Sequence, residues 1–291
     1  MTARNWGILC LLSVAGAAAE ERLWLKDGWR IESSAQVREG GAVLSTTKFQ
    51  PRGWYPAKVP ATVAAALAAS DVFPDPHYGM NLRSYPGVTY PIAENFSNIA
   101  MPPGSPFRTA WWYRTEFRAP EGYRGKTLWL RFDGINYRAN IWLNGRLVAG
   151  RDQVAGAYRV HELNVTGDIT WNGANVLAVE VSPPQPDDLA ITFVDWNPAP
   201  PDKNMGLWQG VSLAATGPVA VRWPQVVTKL DMPSLETARL TVGAELHNGR
   251  DEAVTGTLRG RIGNIEFSQE VKLEARQAKA VRFTQIGRAH V

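Results

Sequence analysis

FDGINYRANIWLNGRLV, residues 132–148, sets short apolar runs on either side of the dipeptide Asn144-Gly145. Both residues of that dipeptide tolerate the positive φ that a tight I′ turn demands, so the spacing predicts strand, two-residue turn, strand. On either side of this segment, β-branched and aromatic runs alternate with Gly, Pro, Asn and Asp turns, and helical periodicity is nearly absent. The pattern reads as an all-β chain, with its clearest strands expected at Trp111–Arg118, Thr127–Asp133, Arg138–Leu143, Asn175–Val181 and Val211–Ala215. Trp111, Trp112, Trp129 and Trp223 fall on such runs and are expected in the core, because an indole on a sheet face buries a large apolar area. One helical exception is the Ala/Leu-rich run Ala61–Ala69, with Thr62 placed to cap it.

The character of the chain changes near Gly217-Pro218. Upstream it is dense in Trp. From Val219 onward it alternates regularly through VAVRWPQVVTKL, ARLTVGAELHN, VTGTLRGRIG, EFSQEVKLE and AKAVRFTQ, with turns at Asn248-Gly249 and Gly263-Asn264. Strands at this spacing predict a small immunoglobulin-like β-sandwich without the cysteine pair of antibody domains.

The two ends carry separate signals. Arg4, an apolar run from Trp6 to Val14 and the small residues Ala15–Ala19 have the layout of a secretory signal peptide over residues 1–19, cleaved after Ala19. The expected location is therefore secreted or periplasmic, and no apolar run is long enough to cross a bilayer. The single cysteine, Cys10, lies inside that signal, which excludes disulfides and thiol nucleophiles from the mature chain. A formal charge of +4 comes from 31 basic residues scattered among 27 acidic ones, which gives no stripe for nucleic acid. At the other end, IGRAHV (residues 286–291) matches one reading frame of a common sequencing-library adapter and is read as a non-native tail, which makes the chain a fragment.

The candidate ligand-contacting segment is FVDWNPAPPDKNMGLWQGV, residues 193–211. Proline fixes φ and removes donors, so Pro198, Pro200 and Pro201 specify a stiff, extended path that holds the flanking polar side chains in place. Sugars offer hydroxyls that pair with carboxylates and amides, and C–H faces that lie against indoles. Asp195, Trp196, Asn197, Asp202 and Asn204 supply that chemistry. The alternative reading of the same loop is a staple that only ties the domain to its neighbour. No catalytic constellation is visible: G-x-S-x-G, H-E-x-x-H and phosphate-binding glycine loops are all missing, and His77, His161 and His247 are too dispersed for a metal cluster.

Five ordered motifs carry a family resemblance. They are WYPAKVPATV (54–63), DPHYGMNL (75–82), SPFR followed by WWYR (105–114), FDGINYRANIWLNG (132–145) and the loop itself. Together they resemble glycoside hydrolase family 2, in the branch of exo-β-D-glucosaminidases and β-mannosidase-like enzymes. The resemblance implies a galactose-binding-like jelly roll over residues 20–216, followed by a truncated immunoglobulin-like sandwich over 217–285. It further implies retaining hydrolysis of a chitosan-type or mannoside-type oligosaccharide, without cofactor or metal. The two carboxyl groups of that reaction would stand on a (β/α)₈ barrel that these residues do not contain, so the fragment is expected to be inactive alone. In the family the loop reaches the mouth of that barrel, which makes Asp195 and Trp196 the foremost contact candidates. A β-mannosidase or endo-β-mannosidase, and a stand-alone carbohydrate-binding module, remain as alternative readings.

Overall fold

The computed structural model describes residues 20–86, 101–191 and 198–284, together with the backbone of 288–290. It divides into two compact units, one of residues 21–215 and one that gathers the described residues from 216 onward with Glu20.

In chain order the first unit contains β1 (Glu21–Trp24), β2 (Trp29–Ser33), a short helix α1 (Gly41–Leu44), β3 (Tyr55–Ala57), β4 (Ala61–Thr62), α2 (Val63–Ala69), β5 (Trp111–Phe117), β6 (Thr127–Phe132), β7 (Arg138–Leu143), β8 (Arg146–Ala149), β9 (His161–Asn164), β10 (Asn175–Ser182), β11 (Gly206–Leu207) and β12 (Val211–Thr216). Six strands form one sheet in the order β3-β2-β5-β10-β7-β8, and four form a second in the order β1-β12-β6-β9. The two are the layers of a sandwich. Leu128, Leu130 and Phe132 of β6 share one core with Ile31, Tyr113, Ile141 and Val179 of the six-stranded sheet. Alternation explains the choice of faces: successive side chains of a strand point to opposite sides, so one set of β6 residues must enter the core. The expected hairpin is present, with Asn144 at φ 51° and Gly145 at φ 89° joining β7 to β8.

The outer face of the six-stranded sheet is also covered, which is why β5 is buried at almost every position. Trp112 packs there with Leu44, Trp54 and Ala178. Beside it Arg114, only 4% exposed, donates from Nε to Leu44 O (2.9 Å) and from an Nη to Thr46 O (3.2 Å), Phe49 O (3.3 Å) and Glu116 Oε1 (2.7 Å). The buried guanidinium is tolerated because four acceptors meet its Nε and that Nη. The predicted helix appears as α2, and the Thr62 hydroxyl accepts from Ala65 N at 3.2 Å.

The second unit contains β13 (Val219–Leu230), β14 (Thr237–Asn248), β15 (Val254–Ile262), β16 (Ile265–Leu273), β17 (Ala278–Phe283) and β18 (Arg288–His290). One sheet runs β13-β14-β17, with β18 also paired to β14; β15 and β16 form a separate hairpin. Leu246 and Val281 of the sheet meet Val271 and Leu273 of the hairpin in a small core of their own. Gly263, at φ 59°, turns the hairpin so that Ile262 lies opposite Ile265. The alternating runs thus become β-strands packed in layers, as expected. Trp111, Trp112 and Trp129 are buried, but Trp223 is 48% exposed. It stands at a register shift between Arg222 and Gln225 with φ 51°, next to Pro224, so the strand irregularity turns the indole away from the core.

Candidate functional site

The loop that carries the candidate contact residues is described from Pro198 onward, and its root is fixed by three independent ties. Asp202, fully buried, accepts from Ala64 N at the start of α2 (Oδ2, 2.7 Å) and from Asn204 N (Oδ1, 2.9 Å). Met205 O accepts from Val63 N at 2.8 Å, and β11 pairs with β4, Gly206 opposite Thr62. Asn136, also fully buried, donates from Nδ2 to Lys203 O and Asn204 O, both at 2.9 Å, while its backbone exchanges two hydrogen bonds with Gly206.

These ties force an unusual backbone. Lys203 and Asn204 both take positive φ, 53° and 56°, which brings two successive carbonyls within reach of one Asn136 amide. Gly206 has φ 146°, and a Cβ there would overlap the Tyr113 hydroxyl and stand 2.8 Å from Ala61 O. Only glycine fits a strand approaching this closely.

The electrostatics follow from burial. Asp202 is held above the ordinary carboxylate range by its removal from water, opposed by the hydrogen bonds from Ala64 N, the Thr62 hydroxyl and Asn204 N. Burial likewise pushes the Tyr113 phenol well up, with the nearby Asp202 charge adding to it. Its hydroxyl donates to Ala61 O at 3.1 Å. Burial lowers Lys203.

Of the predicted contact residues, Asp195, Trp196 and Asn197 lie outside the described residues. Asp202 and Asn204 are described, and they differ. Asp202 has no exposed surface for a sugar hydroxyl; its carboxylate faces the N-terminus of α2 because unpaired backbone N–H groups there need an acceptor. Asn204 is half-buried, and its side-chain amide has no hydrogen-bond partner among the described residues. Just beyond β11 the chain presents Trp208, whose Nε1 donates to Ala157 O (2.9 Å) and whose ring meets Tyr158 edge-on at 5.3 Å and 83°. Tyr158 is 70% exposed. The arrangement can present polar and aromatic groups from a rigid base, which is binding chemistry.

Residues 106–192, which supply most of the six-stranded sheet, match the family described as glycosyl hydrolase 2 galactose-binding domain-like. This is a glycoside hydrolase family 2 galactose-binding-like domain. An exo-β-D-glucosaminidase of Streptomyces avermitilis is 37% identical over 88% of this chain and 26% of that protein. The crystal structure of Amycolatopsis orientalis exo-chitosanase CsxA superposes with a TM-score of 0.73 at 33% identity, covering 90% of this chain and 29% of that one. A mannosylglycoprotein endo-β-mannosidase of Lilium longiflorum is 29% identical over 89% of this chain and 29% of its own length. The chain thus spans about a quarter of the length of the glucosaminidase.

Within this family 2 chain, sequence reasoning missed Asn136 as the residue that holds the loop. The signal was present: an Asn set between Ile135 and Tyr137 must find partners if that segment is buried. Nothing local indicated that those partners would be 67 and 68 residues away.

Proposed function

We propose that the chain is the N-terminal sugar-binding part of an exported exo-β-D-glucosaminidase-type hydrolase acting on chitosan-type oligosaccharides from the non-reducing end. Asp195 and Trp196 contact the terminal sugar, Asn197 and Asn204 flank them, and Asp202 sets their position from within. The observation that carries this reading is the 37% identity to a glucosaminidase over 88% of the chain. The rigid root of the loop supports it, because a sugar-contacting loop must be held to within a fraction of an ångström to be selective.

The acids that break the glycosidic bond stand on a barrel outside these residues, and the reaction is retaining double displacement. The chain alone therefore binds glucosamine weakly and cleaves nothing. Two measurements test this. Isothermal titration with glucosamine oligomers should give weak or undetectable heats for both the natural chain and Asp195→Ala, and tight binding would contradict the half-pocket. Sequencing past codon 291 should reveal alternating strands and helices. A stop codon preceded by genuine sequence would instead leave a stand-alone binding module. The lily relative supports a β-mannosidase as the second reading, and substrate profiling of the full enzyme with p-nitrophenyl β-D-glucosaminide against the mannoside separates the two.

A further inference from the structure

The chain has three Asn-Gly dipeptides, Asn144-Gly145, Asn172-Gly173 and Asn248-Gly249. Asn-Gly is the sequence most open to spontaneous deamidation, because glycine has no side chain to hinder attack by its own backbone nitrogen. The fold holds two of the three and leaves the third open.

At Asn144 both reacting groups are occupied. Its Nδ2 donates to Asp168 O and to Asn175 Oδ1, each at 2.7 Å, and its Oδ1 accepts from Val176 N at 2.9 Å. Gly145 N, the would-be nucleophile, donates to Ser45 Oγ at 3.0 Å. Asn248 is held in the same manner. It is 2% exposed, and its Nδ2 donates to Glu252 O and Glu274 O, each at 2.8 Å. Its neighbour Gly249 N donates to Pro218 O at 2.9 Å. Asn172 is the contrast: it is exposed, lies in a turn ahead of β10, and neither its amide nor Gly173 N has a hydrogen-bond partner among the described residues.

We propose that Asn172 is a selective deamidation site, and that the fold protects the other two Asn-Gly pairs. Gly173 N, after losing its proton to solvent hydroxide, attacks Cγ of Asn172. The new C–N bond closes a succinimide, and the side-chain nitrogen takes up a proton and leaves as ammonia. Water then opens the ring at either carbonyl, giving aspartate or isoaspartate and one added negative charge. Asn144 and Asn248 react only through local opening, since at least three hydrogen bonds must break before Cγ and the glycine nitrogen can meet.

The test is peptide mapping by mass spectrometry, with an isoaspartyl methyltransferase assay, on the purified chain held at mildly alkaline pH. One sample is folded and one is unfolded in urea. In the folded chain the Asn172 peptide should convert at least about tenfold faster than the Asn144 and Asn248 peptides, the factor expected for losing about three hydrogen bonds of modest net strength. In urea the three rates should converge. Gly173→Ala, whose added Cβ would meet nothing closer than Thr170 Cγ2 at 3.4 Å, should slow conversion at Asn172 in both samples. Equal rates at the three sites in the folded chain would overturn the proposal. So would a lead for Asn172 that persisted in urea, because flanking residues and not the fold would then be its cause.

Discussion

Replacing Asp202 by asparagine separates an anchoring carboxylate from a sugar-contacting one. Its Oδ2 lies 2.7 Å from Ala64 N and its Oδ1 2.9 Å from Asn204 N, so both oxygens accept from backbone donors. Asparagine keeps the shape and only one of the two acceptors, and whichever way it flips an NH₂ faces an N–H. Loss of one charge-assisted hydrogen bond costs about 1.5–3 kcal/mol. The neutral amide recovers part of this, because burial already disfavours the charged carboxyl, as its raised pKa shows. A net loss of about 1–2 kcal/mol follows, or roughly 2–8 °C in Tm for a unit of this size. Asp202→Ala removes the acceptor of Ala64 N, Asn204 N and the Thr62 hydroxyl and should lose about 3 kcal/mol. Urea unfolding with linear extrapolation reads both. The sign of the pH dependence adds a check. The folded carboxyl holds its proton above the unfolded pKa of 3.8, so the natural chain gains stability as pH falls from the folded value to 3.8. The asparagine variant lacks this gain. An Asp202→Asn chain as stable as its parent would refute the anchoring argument. If the same change abolished oligosaccharide binding without lowering stability, the carboxylate would return to the list of contacts.

Further expectations concern the loop root and the core. Gly206→Ala forces a Cβ to within 2.8 Å of Ala61 O and Thr62 Cα at φ 146°, which should cost at least about 2 kcal/mol in urea unfolding; a neutral result would mean the β4–β11 approach is not tight. Asn136→Ala frees the Lys203 and Asn204 carbonyls and should cost about 2 kcal/mol. Limited proteolysis should then cut the loop faster, and unchanged cleavage would count against Asn136 as its anchor. His161 is 7% exposed, and burial, with Arg159 nearby, lowers its pKa to about 4. The unfolded chain therefore takes up the proton first, and stability should fall as pH drops from 6.5 towards 4, by at most about 3 kcal/mol. His161→Gln should flatten that part of a pH-stability profile, and an unchanged profile would assign the slope elsewhere.

Local chemistry was readable without the fold. Asn144-Gly145 fixes its hairpin because the positive φ values it needs are available to those two residues without help from elsewhere. Thr62 caps α2 through a bond three residues long, and the alternating runs after Val219 become strands because period two is a property of the extended chain itself. Trp223 shows the limit: its run alternates correctly, yet a shift of register against β14 leaves the indole in solvent. Asp202 shows it more sharply, since its composition suits a sugar and its surroundings make it a buried acceptor.

Strand content, turn positions and family motifs could all be read along the chain, because they depend on neighbours a few residues apart. That Asp202 faces inward came from the folded packing alone. That choice rests on unpaired backbone groups of α2, 138 residues away along the chain, and on an Asn136 amide that reaches the loop only once the sheets have closed.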